Sequence, residues 1–514
     1  MKSTTTSLHK WPLLILKYSC WTFIFTVIYA QSPLFTSNQN QYFLHGLAES
    51  GVGFLKNDWL AKTLDPTPVF SFLINLTYRV SHSYVLFYLY YAILLGIYLF
   101  SLLGIAERLF KSQSQKLIVI YLALLLGFHS AALRFFISRV VNPNWSYLFE
   151  SGVAGQRLLG PVFQPSTFGV FLVLSIYLFL IGRRYAAVLA SVLAVFFHPT
   201  YLLSAALLTL TYMWAVYKEE GDVVKPIQIG FVSFISVIPI LAYVYRSFGS
   251  SPSGISQRAM EILVNFRIPH HALIANWLDV STFVQIAIVF SAIILLRRTK
   301  LFPIMLILII LTIAMTLLQS FTQSNTLALL FPWRVSVVLV PLSTSIIIAY
   351  FVFERLDHFL SHKPNYQSGM VYLSLIGMTG LIIIGATRFT LDLNRQRNSD
   401  DRPMMNYVYK TKSIEENYLI PIKLQDFRLV TGAPVYVDFK SIPYQSQEVL
   451  EWYARIQAAD RFYRNRSDSC TALDQIIQTG GVTHVIIEKS ENMPSCPSFN
   501  EIFQDDHYLI EKIQ

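Results

Sequence analysis

The sequence predicts a polytopic α-helical membrane protein of about eleven spans, followed by a small α/β domain on the outer side of the membrane. Three observations carry this. The 514 residues are 54% hydrophobic and only 14% charged, where a soluble chain carries about a quarter charged residues. Apolar stretches of spanning length are separated by gaps, and alternate gaps are short and basic: Glu107-Arg108…Lys111…Lys116, Arg183-Arg184, Lys218…Lys225, Arg297-Arg298…Lys300 and Arg355…Lys363. After Arg388 no stretch can span, and short strand-like runs alternate with helical spacing.

The spans read near 11–31, 83–105, 117–134, 166–182, 185–201, 203–217, 227–245, 281–296, 301–318, 332–353 and 369–387, with 185–217 open to another division. Lys and Arg are retained on the cytoplasmic side. With Lys2, His9 and Lys10 also inside, eleven crossings put every basic gap inside and the C-terminus outside. Residues 11–31 have the basic start and apolar run of a signal peptide. They read instead as an uncleaved first helix, because the run exceeds a typical signal core and contains Lys17. Residues 67–80 are apolar but too short to span. With Pro66, Pro68 and Arg79 they read as a helix in the outer interface.

This divides the chain into a transmembrane domain, 1–388, with a long first outer loop at 32–82, and an extracytoplasmic α/β domain, 389–514. Residues 389–416 read as a polar linker or irregular segment. Strands are expected at 418–420, 427–430, 434–437, 483–487 and 508–510, and helices at 446–464 and 470–478. Cys20 reads as a packing residue of the first span. Cys470 and Cys496 fall where disulfides form, but spacing alone cannot say whether they are bridged.

The net charge of +10 sits largely in the cytoplasmic turns, where it orients helices and meets anionic lipid; it is not the footprint of a nucleic-acid binder. There is no internal repeat of the kind many transporters show. There is no glycine-rich phosphate loop, paired Cys or His metal spacing, or nucleophile elbow. The candidates for chemistry are polar residues of the outer face.

The loop 32–82 reads Ser37-Asn38-Gln39-Asn40-Gln41-Tyr42-Phe43-Leu44-His45-Gly46-Leu47-Ala48-Glu49, then Asn57-Asp58-Trp59-Leu60, then Asp65-Pro66-Thr67-Pro68-Val69-Phe70. This resembles the first periplasmic loop of the GT-C superfamily of membrane glycosyltransferases, and is similar in feel to uncharacterised bacterial membrane proteins near that superfamily. The resemblance implies a bacterial plasma-membrane protein that moves a sugar from a polyprenyl-phosphate donor to a saccharide or protein acceptor on the outer face. GT-C enzymes usually place an acid just after the first helix, as a base or as a ligand to a divalent metal ion. Here Asn38-Gln39-Asn40-Gln41 stands there and supplies neither. The metal requirement is therefore unknown, and a base must come from Asp58, Glu49, Asp65 or His45. Asp58 is preferred, because Trp59 could partly desolvate it and raise its pKa. Its other reading is a helix cap, and that of Asp65 a turn before proline.

Arginine binds phosphate through a two-pronged fork. Arg157, His198, His270 and Arg334 lie at outer ends of spans or in outer loops, and are the expected contacts to the donor phosphate. Each Arg could equally snorkel to lipid, and His198 could close an interhelical hydrogen bond. Asp438, Lys440 and Tyr444 follow a predicted strand, where loops carry sites. They are the expected acceptor-side residues, with a salt-bridged turn as the plainer reading. Beyond transfer, two other readings remain: a non-catalytic binding or assembly protein for envelope polysaccharide, favoured by the missing acid, and a transporter.

Overall fold

The computed structural model describes residues 10–111, 114–249, 252–361, 363–464, 468–489, 494 and 496–514. Lys2 and His9 of the expected cytoplasmic start lie outside them. The chain forms two compact units. The first takes residues up to Gln31, Phe87–Ile240 and Ile268–Leu391; the second takes Ser32–Leu86, Leu241–Arg267 and Asp392–Gln514. The division by compactness thus differs from the linear boundary at 388. The first outer loop belongs with the C-terminal segment.

The first unit is a helical bundle. Each of the eleven apolar stretches coincides with a helix: Lys10–Tyr29, Val85–Phe110, Gln115–Phe128, Val170–Leu180, Arg184–Phe197, Leu202–Glu220, Val224–Phe248, Val280–Leu295, Leu301–Thr322, Ser336–Tyr350 and Pro364–Arg397. Seven helical stretches are long and apolar enough to cross a membrane, and four further apolar helices are shorter. The chain is an integral membrane protein. The break between 185–201 and 203–217 falls at His198-Pro199. Proline holds His198 extended (φ −145°, ψ 97°), ending one helix before the next begins. Cys20 is exposed rather than packed.

Ion pairs show which gaps share an end of this bundle. Arg184 pairs with Glu220 at 2.6 Å and Glu220 with Lys225 at 2.8 Å. Lys300 reaches Glu219 at 2.5 Å. Three of the alternate basic gaps, 183–184, 218–225 and 297–300, therefore meet.

The second unit is built on a four-stranded sheet. Its strands are β1 (Tyr418–Leu419), β2 (His484–Glu488), β3 (Phe499–Gln504) and β4 (Tyr508–Ile513), in the order β1-β2-β4-β3. β1 runs parallel to β2, and the other pairs are antiparallel. β2 is buried on both faces. Val485 and Ile487 join a core around Trp452 of helix Ser446–Arg464, whereas Ile486 joins Met404, Met405 and Phe427 on the other side, as the two-residue period of a strand requires. The helices expected at 446–464 and 470–478 are Ser446–Arg464 and Ser469–Gly480. Cys470 and Cys496 are bridged, with their Cα atoms 5.5 Å apart.

Three expectations fail here. Residues 427–430 are not a strand but part of helix Phe427–Thr431, closed by Gly432 at φ +70°. The run 434–437 contributes only one bridge, between Val435 and Tyr418. Residues 389–397 are not a linker; they continue helix Pro364–Arg397, and Arg402–Thr411 forms a further helix. β3 was not anticipated, because its burial is irregular and its apolar residues do not alternate.

In the first outer loop, the apolar stretch 67–80 forms helix Pro68–Ser81. Asp65 precedes it, its Oδ1 accepting from the Thr67 amide at 2.8 Å. The loop is fastened to the C-terminal segment where the Phe54 amide donates to the Gly432 carbonyl at 2.8 Å. Gly53, at φ +52°, faces the Gly432 backbone so closely that a Cβ would collide with it.

Candidate functional site

In the second unit, Asp58 is fully buried, at 0% exposure. Its Oδ1 accepts from the amides of Leu60 at 2.8 Å and Ala61 at 3.4 Å. Its Oδ2 accepts from Arg428 Nε at 2.7 Å and the Val435 amide at 2.9 Å. Arg428, itself 2% exposed, also pairs with Asp438 at 2.5 Å. Asp438 in turn accepts from the Ser441 amide at 2.7 Å and, through its carbonyl, from Trp452 Nε1 at 3.2 Å. Burial works against the Arg428 charge, but the two carboxylates hold its pKa above the ordinary arginine value. Both Asp58 and Asp438 thus act as structural anchors of a buried Asp–Arg–Asp triad. The lone pairs Asp58 would use as a base are already occupied.

The other loop candidates are less committed. Glu49 is exposed and accepts from Asn75 Nδ2 at 3.0 Å. The His45 ring meets the Thr63 carbonyl at 3.2 Å. Asp65 Oδ1 accepts from the Thr67 amide ahead of the following helix, and its carbonyl accepts from Tyr243 Oη at 2.5 Å.

Lys440 and Tyr444 stand apart from the triad's ion pairs. Gln41 Nε2 donates to Tyr444 Oη at 2.9 Å, and the Tyr42 and Tyr444 hydroxyls lie 3.4 Å apart. Arg267 Nη2 donates to the Lys440 carbonyl at 2.7 Å, and its guanidinium lies 5.2 Å from the Phe439 ring centre. Burial, reinforced by the Arg267 charge, pulls the Lys440 amine down to about 8.

In the first unit, Arg334 Nη2 meets His198 Nε2 at 2.6 Å and Thr200 Oγ1 at 2.9 Å, with the guanidinium 5.2 Å from the Tyr201 ring centre. Arg157 stacks on Tyr147 at 3.8 Å. His271 Nδ1 meets the Ala154 carbonyl at 2.5 Å. Burial, then His270, Arg334 and Arg157, depress the His271 pKa to about 3, so this imidazole is neutral. His270 lies against His271, ring centres 4.0 Å apart. The predicted donor-side residues Arg157, His198, His270 and Arg334 are therefore brought into one polar neighbourhood of this unit. Among the described residues, the Nε–H groups of Arg157 and Arg334 are buried without a hydrogen-bond partner. The loop carrying Arg157 is seated by the Val153 amide donating to Ser336 Oγ at 2.8 Å. Gly152 is required there, since a Cβ would strike Ser336 and Val337.

Sequence reasoning missed Glu150. It is 2% exposed and bonded to Arg134 at 3.0 Å, with burial pushing its carboxyl up to about 6 against the pull of that arginine. Glu150 is the one acid between Glu107 and Glu219, and that isolation was the available signal. Among the described residues, no group of three or more His, Cys, Asp or Glu side chains is arranged to hold a metal ion. A groove of about 680 Å³ lies among Tyr18, Thr22, Gly96, Gly104, Glu107 and Tyr177 and contains none of the candidate residues.

Residues 399–459 match the model of a domain of unknown function, DUF6798. No curated protein matches the chain. Among solved structures, the chain is similar to the archaeal oligosaccharyltransferase AglB from Archaeoglobus fulgidus, in complex with an inhibitory peptide and a dolichol-phosphate. The identity is 12% and the TM-score 0.47, covering 92% of this chain and 69% of that one.

Proposed function

We propose that the chain is a GT-C-like glycosyltransferase that moves a sugar from a polyprenyl-phosphate donor to an acceptor on the outer face of the membrane. The observation that carries this reading is the basic neighbourhood of the first unit. Arg334 and Arg157 present guanidinium N–H groups that are buried and unpartnered, beside Thr200, His198 and a neutral His271. A buried donor without a partner costs about 1–3 kcal/mol, and a phosphate oxygen would recover that cost by accepting from it. In transfer, the bond from the sugar C1 to the phosphate oxygen breaks as the acceptor hydroxyl attacks C1. The charge developing on the leaving phosphate is met by donors already in place. The hydroxyl proton needs a base with free lone pairs. Within the first outer loop Glu49, His45 and Asp65 keep that capacity, whereas Asp58 is occupied.

The test is the purified full chain in liposomes with a polyprenyl-phosphate-linked sugar, read by donor binding and by transfer. Arg334→Lys is expected to weaken donor binding nearly as much as Arg334→Ala, by about tenfold or more, because an ammonium lacks the fork. Donor binding unchanged in both variants overturns the reading. The occupied lone pairs of Asp58 favour a second reading, a non-catalytic binding protein for envelope polysaccharide. Donor binding without transfer in the wild type would select it.

A further inference from the structure

The stretch Asn38-Gln39-Asn40-Gln41 lacks an acid, yet it is placed against the loop 438–444 and Arg267. Ser441 Oγ donates to the Asn40 carbonyl at 3.4 Å, and Gln41 Nε2 reaches the Ile442 carbonyl at 3.4 Å as well as Tyr444 Oη. Asn40 is 1% exposed, and among the described residues neither its amide nitrogen nor its amide oxygen has a hydrogen-bond partner. Arg267 Nε is likewise buried and unpartnered. Among the described residues, Lys440 Nζ forms neither an ion pair nor a hydrogen bond. The nearby carboxylate, Asp438, is bonded to Arg428 and the Ser441 amide; it attracts Arg267 and Lys440 through space but, among the described residues, forms an ion pair with neither. Two cations without a direct ion pair among the described residues thus adjoin an unsatisfied amide, two phenol hydroxyls and the Phe439 ring.

We propose that this cluster binds an acidic saccharide, its carboxylate held by Arg267 and Lys440 and its hydroxyls by the Asn40 amide and the phenols of Tyr42 and Tyr444. An amide that donates and accepts matches a sugar hydroxyl, which does both. The Arg267 fork matches a carboxylate. A phosphate alone would leave the Asn40 oxygen without a donor, since a fully ionised phosphate offers none. Calling this saccharide the acceptor rests on the proposed transferase reading; its binding does not.

The experiment measures binding of tri-galacturonate to the purified full chain by calorimetry, with its methyl ester, inorganic phosphate and polyprenyl phosphate as comparison ligands. The acid is expected to bind at least about tenfold more tightly than the ester, as loss of a charge-assisted pair implies. Lys440→Met and Arg267→Gln are each expected to remove most of that preference. Lys440→Met is the safer variant, because it removes an unpaired amine and keeps the stem, and its thermal melting reports that the fold is intact. Equal binding of acid and ester, preference for either phosphate ligand, or an unchanged preference in a folded Lys440→Met variant overturns the proposal. Arg334→Lys should leave galacturonate binding intact, so failure of the transferase reading and failure of this one are separable.

Discussion

Arg428 shows how a charge in the interior sets its neighbours' roles. Removing one partner of a buried ion pair leaves the other unpaired and costs about 3–5 kcal/mol. Asp58→Asn keeps the shape but loses the charge opposite Arg428. The expected outcome is a loss of that order in unfolding free energy, with reduced protein abundance, rather than a well-folded inactive enzyme. Denaturant unfolding of purified protein checks it; normal stability with transfer lost would restore Asp58 as a base. Lys440 gives a pH prediction. Its folded pKa, about 8, lies below that of a free lysine, so the unfolded chain binds the extra proton between about 8 and 10.4. Stability should therefore rise with pH across that window and be lost again as pH falls to 8. Lys440→Met should flatten this slope in unfolding curves taken across it. The sequence named Asp58, Asp438 and Lys440 but could not separate them. What distinguishes them is Arg428, which reads locally as one charge in a strand-like run and becomes decisive only when tertiary structure surrounds it.

At the scale of elements, long periodic segments were legible and short ones were not. The helix Ser446–Arg464 follows from apolar residues at helical spacing, and β2 from an unbroken apolar run. Phe427-Arg428-Leu429-Val430 is too short for periodicity to arbitrate between strand and helix. Asp426 at its start, paired with Arg402, and Gly432 at its end decide for helix. The bridge between Cys470 and Cys496 closes a separation of 26 residues. By loop-closure entropy its reduction should destabilise the second unit by about 3.5 kcal/mol. Thermal unfolding with and without reductant is the measurement, and Cys470→Ser should reproduce the reduced curve without reductant.

For the whole molecule, apolar length and alternating charge made the membrane bundle legible, and the ion pairs among Arg184, Glu219, Glu220, Lys225 and Lys300 agree with three basic gaps sharing one end. The composition of the second unit was not legible, because nothing local in residues 32–86 announces a partner in residues 392–514. Topology is testable with an impermeant thiol reagent on intact cells, in a Cys20→Ser background. Cysteines at the exposed positions Asn57 and Gln514 should react, and one at exposed Ser361 should react only after lysis. Protection of position 514 in intact cells would refute the eleven-span arrangement. Ser441, although in the same segment, is buried and would be a poor reporter; Ser112 and Ser250 lie outside the described residues.

The bond between Asp58 and Arg428 joins positions 370 residues apart. Ribosomal synthesis runs from the N-terminus, so the first loop emerges long before the residue that neutralises it. Contacts of such separation form late. During the interval the nascent loop carries a carboxylate with no arginine, and it remains open to proteases and chaperones. Maturation of the first loop therefore waits on a residue made late: pulse-labelled chains should pass from protease-sensitive to protease-resistant in that loop only after Arg428 has been made. Any truncation upstream of position 428 should leave that loop permanently immature, however well the membrane helices insert.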